Sequence, residues 1–291
     1  MPSVPALQPR ALIVTLYGLY AREAGGWLSV RALIRLLAEV DVDAQAVRSA
    51  ISRLKRRGIL VADRTDGLAG YALSEHAREV LLEGDRRIFQ RPRTHRDERW
   101  LVAVFSVPES EREKRHQMRS RLSRLGFGTV SPGVWIAPAR VAEEAGDVLK
   151  NAGLDEYVDL FHAEHVGFRP LPHQVAKWWD LDNLELMYAE FVVAYRPVRD
   201  TWRRRHRDDA VAFADYLQLL TSWRRLPYLD PGLHAELLPE GWHGAEAAEI
   251  FFELHERLAP AAHRHVEECR ASDRAGDDVA AAARGVVHGP P

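Results

Sequence analysis

The stretch Asp43–Leu60, DAQAVRSAISRLKRRGIL, decides how this chain is read. At helical spacing Val47, Ala50, Ile51 and Leu54 fall on one apolar face. Asp43 is a capping residue just before the first turn, and Gly58 is the residue type that closes a helix in the left-handed conformation. The sequence therefore predicts a helix over Ala44–Arg57. Its other face offers Gln45, Arg48, Ser49, Ser52, Lys55 and Arg56, and the segment carries Arg48, Arg53, Lys55, Arg56 and Arg57 against Asp43 alone. Arginine pairs bidentately with guanine and glutamine with adenine, while serine and lysine hold phosphates. This reading sets Gln45, Arg48, Ser49 and Ser52 against base edges and Arg53, Lys55 and Arg56 against phosphates. The alternative is a solvated face whose terminal cations complement the helix dipole.

What surrounds the segment favours DNA. Before it lie two helical patterns, Arg10–Ala21 and Val30–Val40, the second capped by Ser29. After it come two extended runs, Ile59–Ala62 and Gly70–Leu73, around the turn signal Asp66-Gly67. A further helix starts at Ser74 and runs towards Gln90. Three helices, a two-stranded ribbon and a helix make the layout of a winged helix-turn-helix over residues 1–92. Arg64, near the ribbon tip, is placed to meet backbone or minor groove. Ahead of all this, Pro2, Pro5 and Pro9 mark a loose N-terminal arm.

Beyond the polar linker Arg91–Glu98 the pattern changes. Strand candidates at Trp100–Val107, Gly126–Val130, Val134–Ala137 and Tyr157–Val166 alternate with helices at Glu111–Arg124 and Arg140–Ala152. That order predicts a ferredoxin-like βαββαβ domain over 98–168. Residues 170–270 are helical and aromatic, with Trp178, Trp179, Tyr188, Phe191 and Tyr195 close together. Helices cover Asp208–Trp223 and Ala245–Arg270, and residues 271–291 lack apolar periodicity and are expected to be disordered. The fold class is thus α+β in three parts.

Composition limits the function. A single cysteine in 291 residues excludes a disulfide framework and suits a reducing cytoplasm. The run Ala11–Ala21 is about half of what a membrane span requires. Net charge is −2, yet Met1–Thr94 holds 15 Lys+Arg against 10 Asp+Glu. A basic front on an acidic body points to a polyanionic partner. Catalytic and metal patterns are weak. His162, Glu164 and His165 split between two strand faces, and His263, His265 and Cys269 read as a fortuitous cluster. No phosphate loop, nucleophile elbow or zinc-protease motif is present, so neither a catalytic site nor a metal site is predicted.

The run AVRSAISRLKRRGIL (Ala46–Leu60), with RALIVTLYGLY (Arg10–Tyr20), RWLVAVFSVPE (Arg99–Glu109), LGFGTVSPGVWIAP (Leu125–Pro138) and LPYLDPGLHAELLPEGWHG (Leu226–Gly244), resembles the PaaX family of bacterial transcriptional repressors. The resemblance implies a winged-helix domain, a central domain like the CRISPR Cas2 fold, and a helical C-terminal domain. It implies a homodimer on a palindromic double-stranded operator near genes of phenylacetate or other aromatic-acid catabolism. It also implies release by phenylacetyl-coenzyme A or a similar aryl-coenzyme A, acting as effector rather than cofactor. Trp178, Trp179 and Tyr188 would then hold the acyl group, and Arg196, Arg203, Arg204 and Arg205 the phosphates. The alternative, a Cas2-like metal-dependent nuclease, is disfavoured because Ser106 stands where Cas2 nucleases carry an aspartate, and a hydroxyl is a poor ligand for a hard cation.

Overall fold

In a computed structural model, the structure describes residues 7–22, 26–90, 99–204 and 208–285, apart from the side chains of 83 and 274–285. The expected N-terminal arm (through residue 6), the linker at 91–98, Arg205 and the last six residues of the expected tail lie outside the described residues. The protein is α+β, with two antiparallel sheets. In chain order the elements are α1 (Pro9–Leu16), β1 (Trp27–Ser29), α2 (Val30–Ala38), α3 (Ala44–Arg56), β2 (Leu60–Thr65), β3 (Leu68–Leu73) and α4 (Glu75–Phe89). Next come β4 (Trp100–Phe105), α5 (Arg112–Arg124), β5 (Gly128–Ser131), β6 (Val134–Pro138), α6 (Ala142–Asn151) and β7 (Val158–Ala163). The chain ends with α7 (Leu171–Trp178), α8 (Leu181–Arg204), α9 (Asp209–Trp223), α10 (Leu226–Leu229) and α11 (Gly244–Gly285). These elements form two units, one of residues 1–85, 191–223 and 246–291, the other of 86–190 and 224–245.

In the first unit the helix expected over Arg10–Ala21 divides, because α1 loosens into a π turn at Tyr17–Ala21. Ile13, Leu16 and Tyr17 are fully buried, and α1 packs on α3 and α9. Ser29 caps α2 as expected, its Oγ accepting from Ala32 N at 2.9 Å. The sequence pattern does not reveal β1, which pairs with β3 in a three-stranded sheet of order β1-β3-β2. A three-residue strand, buried throughout, is too short to display a period-two alternation. Asp66 and Gly67 both have positive φ, 53° and 79°. They form a two-residue turn with Thr65 opposite Leu68, so the ribbon is longer than its hydrophobic runs indicate.

The late helices complete this unit. Trp223 of α9, fully buried, stacks on Phe251 of α11 with centroids 4.5 Å apart. Arg203 donates from Nε and Nη2 to the two carboxylate oxygens of Glu253, and Arg264 grips Asp209 in the same bidentate way. These pairings hold Glu253 and Asp209 below the ordinary carboxylate pKa range. α11 continues through residues 271–285, where the sequence pattern predicts disorder. Its alanine-rich composition has high intrinsic helicity, and Asp273 is buried against Ser29.

The second unit centres on a four-stranded sheet of order β5-β6-β4-β7, all neighbours antiparallel, with α5 and α6 following β4 and β6. Period-two alternation divides β4. Leu101, Ala103 and Phe105 join Met118, Leu122, Ala145 and Leu149 in one core. On the other face Trp100 and Ile136 pack with Val175, Trp179 and Leu181. Trp179 Nε1 donates to the Gly126 carbonyl at 3.0 Å, and its ring leaves no room for a side chain at Gly128. No helix among the described residues is long and apolar enough to cross a membrane.

Candidate nucleic-acid interface

The N-terminus of α3 is fixed by Asp43, whose Oδ1 accepts from the backbone N–H groups of Gln45 and Ala46 at 2.8 Å each. Its C-terminus is closed by Gly58 at φ 67°. Between these stops Val47, Ala50, Ile51 and Leu54 are buried, the first two completely. Burying that stripe against α1 and α2 dictates which side chains point outward. Gln45, Arg48, Ser49, Ser52, Arg53, Lys55, Arg56 and Arg57 are all exposed.

None of these side chains has an ion-pair or hydrogen-bond partner among the described residues. The contrast with the same unit's late helices is direct: there Arg196, Arg203 and Arg264 are matched to Glu246, Glu253 and Asp209. The α3 cations, exposed and without a partner among the described residues, present a positive surface with hydrogen-bond donors available. Arg64, in β2 close to the Asp66-Gly67 turn, is exposed, and its side chain too is unpaired among the described residues.

α2, which packs beside α3, is tied to the distant α11. Ser29 bonds to Asp273, Arg35 donates to the sulfur and carbonyl of Cys269, and His265 meets Glu39 at 2.8 Å. On α11 these three residues recur every four positions, along one face. The sequence pattern flags His265 and Cys269 as neighbours but not this use. Their partners lie more than 200 residues away, and no local period encodes such a pairing.

The residues proposed for an aryl-coenzyme A fall in both units. In the second, Trp178 and Trp179 pack edge-on with each other and around Trp100. Tyr188 is fully buried, with its hydroxyl on Asp230 at 2.7 Å. In the first, Arg196 and Arg203 are bound to Glu246 and Glu253, and Arg204 is exposed. Ser106, at the exit of β4, is exposed and donates its backbone N–H to the Tyr157 carbonyl at 3.0 Å. Glu164 meets Arg99 at 3.5 Å, and His165 packs edge-on to Trp178. Among the described residues no group of three His, Cys, Asp or Glu is arranged to hold a metal ion.

Comparison with known proteins agrees along the chain. Residues 8–77 match the model of a PaaX-like protein, 93–175 that of the PaaX protein central Cas2-like domain, and 179–268 that of the PaaX-like protein C-terminal domain. The chain is similar to the transcriptional repressor PaaX of Escherichia coli (strain K12), with 26% identity over 263 residues, 89% of this chain and 83% of that protein. Among solved structures it is similar in fold to the uncharacterized protein Rv0674 from Mycobacterium tuberculosis. That match has a TM-score of 0.56 and 21% identity, and covers 89% of this chain and 98% of the other. The chain belongs to the PaaX family.

Proposed function

We propose that this protein is a dimeric, DNA-binding transcriptional repressor. Its α1–β3 segment acts as a winged helix-turn-helix, and the βαββαβ unit as a ferredoxin-like, Cas2-like domain that mediates dimerisation or relays signal. The carrying observation is α3: exposed cations, hydroxyls and one amide without partners among the described residues, on a helix whose opposite face is locked into the core. The repressor named among its relatives supports the regulatory role. Gln45, Arg48, Ser49 and Ser52 read base edges in the major groove, Arg53, Lys55 and Arg56 hold phosphates, and Arg64 touches the backbone or minor groove. No observation favours the nuclease alternative, and Ser106 offers a cation only a neutral hydroxyl.

The test is fluorescence anisotropy on an operator selected from a random duplex pool. Arg48→Ala is expected to weaken binding by about 1–3 kcal/mol and to relax preference at one base pair. Unchanged affinity and preference would remove Arg48 from the base-reading set.

The effector in this reading is an aryl-coenzyme A of the phenylacetyl type, and the regulated genes serve aromatic-acid catabolism. A ligand moves the DNA-binding equilibrium only by its differential affinity for the two states. Phenylacetyl-coenzyme A added to the protein–operator complex is expected to release DNA while tryptophan fluorescence changes, with Trp178 as reporter. If no aryl-coenzyme A releases DNA, this part of the proposal fails and the DNA-binding part stands.

A further inference from the structure

α5 sets six Lys and Arg residues against Glu113 alone, in a chain whose net charge is −2. Met118 and Leu122, both fully buried, fasten its inner face into the core shared with Leu101 and Phe105. That anchoring turns Arg112, His116, Arg119 and Ser123 outward, at i, i+4, i+7 and i+11 along one stripe, and all four are exposed. None of these side chains has an ion-pair or hydrogen-bond partner among the described residues. Other cations of the same helix are matched. Lys114 reaches Glu111 and the Tyr157 hydroxyl at 2.7 Å each, and Arg115 donates to Glu109 at 2.9 Å and to the Val107 carbonyl at 2.7 Å. α6, which shares the same core, carries Glu143, Glu144 and Asp147, so the positive excess is local to α5.

Helix stability does not account for this stripe. The macrodipole favours cations in the last turn, which covers Arg121 and Arg124. It disfavours Arg112 in the first turn and does nothing for Arg119 in the middle. Arg119 is moreover a like-charged i,i+4 neighbour of Arg115, which works against the helix. Guanidinium, imidazole and hydroxyl donors in one row are the set from which phosphate oxygens accept. From Arg112 to Arg119 the helix rises about 10 Å, over which one strand of duplex DNA presents about three phosphates. We propose that this face of α5 holds the phosphate backbone of duplex DNA, as a sequence-independent contact in addition to that of α3. The inference rests on the DNA-binding reading above and extends it to the βαββαβ unit. Duplex DNA is the polyanion that the chain engages in that reading.

The test is fluorescence anisotropy with the full chain, on the selected operator and on a scrambled duplex of the same length, across a salt series. Arg112→Gln combined with Arg119→Gln is expected to weaken binding to both duplexes by the same factor and to leave base preference unchanged. It should lower the log–log salt slope by about 1.8, so that the advantage of the unmodified chain shrinks about tenfold between about 50 and 200 mM salt. Arg112→Lys combined with Arg119→Lys should retain affinity and slope, because a point charge suffices for a phosphate. Both positions are exposed, and circular dichroism with the urea midpoint verifies that the variants are folded. Arg48→Ala, measured in parallel, reports on base preference and separates failure of the α3 reading from failure of this one. A glutamine double variant with the affinity and salt slope of the unmodified chain would overturn the proposal. If that variant instead loses coenzyme A binding while duplex binding is unchanged, the stripe serves a small phosphate ligand and the proposal falls.

Discussion

Gly70 shows how much a single position carries. A Cβ built there would lie 2.4 Å from the Leu28 carbonyl and 2.5 Å from the Trp27 ring, so only glycine lets β1 close on β3. Trp27 and Leu28 are buried, and the contact involves backbone, which cannot rotate aside. Gly70→Ala is expected to lower unfolding stability by about 1–3 kcal/mol, the usual range for overpacking, read from urea titrations. An unchanged midpoint would mean that β1 is not held against β3 in solution. At this scale the outward face of α3 was legible in the sequence, because the polar face of an amphipathic helix can be counted from its period. The buried condition of Trp179 and Tyr188 was not, since an aromatic cluster reads alike whether it is core or cavity wall.

Among the elements, the α9–α11 contact carries a pH signature near neutrality. Tyr216 and His255 are hydrogen-bonded at 2.7 Å, and the His255 ring stacks on Phe251. Burial disfavours the imidazolium and holds the His255 pKa below its ordinary 6.5, against the smaller opposing pull of Glu256. A depressed histidine stabilises the fold fully above the unfolded value near 6.5, and that contribution is lost as pH falls through the folded value. The urea midpoint is expected to drop between pH 7.5 and pH 5.5, and His255→Gln to reduce the drop. An equal drop in the variant would assign the effect to other groups. Element types and most boundaries followed from hydrophobic period and from the stop signals at Ser29, Asp43, Gly58 and Asp66-Gly67. The strand β1 and the continuation of α11 did not: a three-residue strand has no period, and the helix past Arg270 is anchored by Asp273 on a serine far away in the chain.

For the molecule as a whole, the acidic total conceals a positive stripe, and salt exposes it. Each phosphate contact releases counterions, so the logarithm of operator affinity should fall linearly with the logarithm of salt, by about 0.9 per contact. Lys55→Ala is expected to weaken binding to all sequences alike and to reduce that slope by about 1. An operator affinity insensitive to salt would contradict phosphate binding by α3.

The sequence by itself determined most of the helices and strands, the face that α3 turns outward and the family resemblance, since all of these are written in local spacing and in ordered motifs. Only the tertiary structure decided which cations are matched among the described residues, that α11 grips α2 through Asp273, Cys269 and His265, and that β7 forms an edge of its sheet. The reason is physical: whether a charge or a strand edge is satisfied depends on groups brought near by folding, and for most of these residues the partners stand tens to hundreds of positions away.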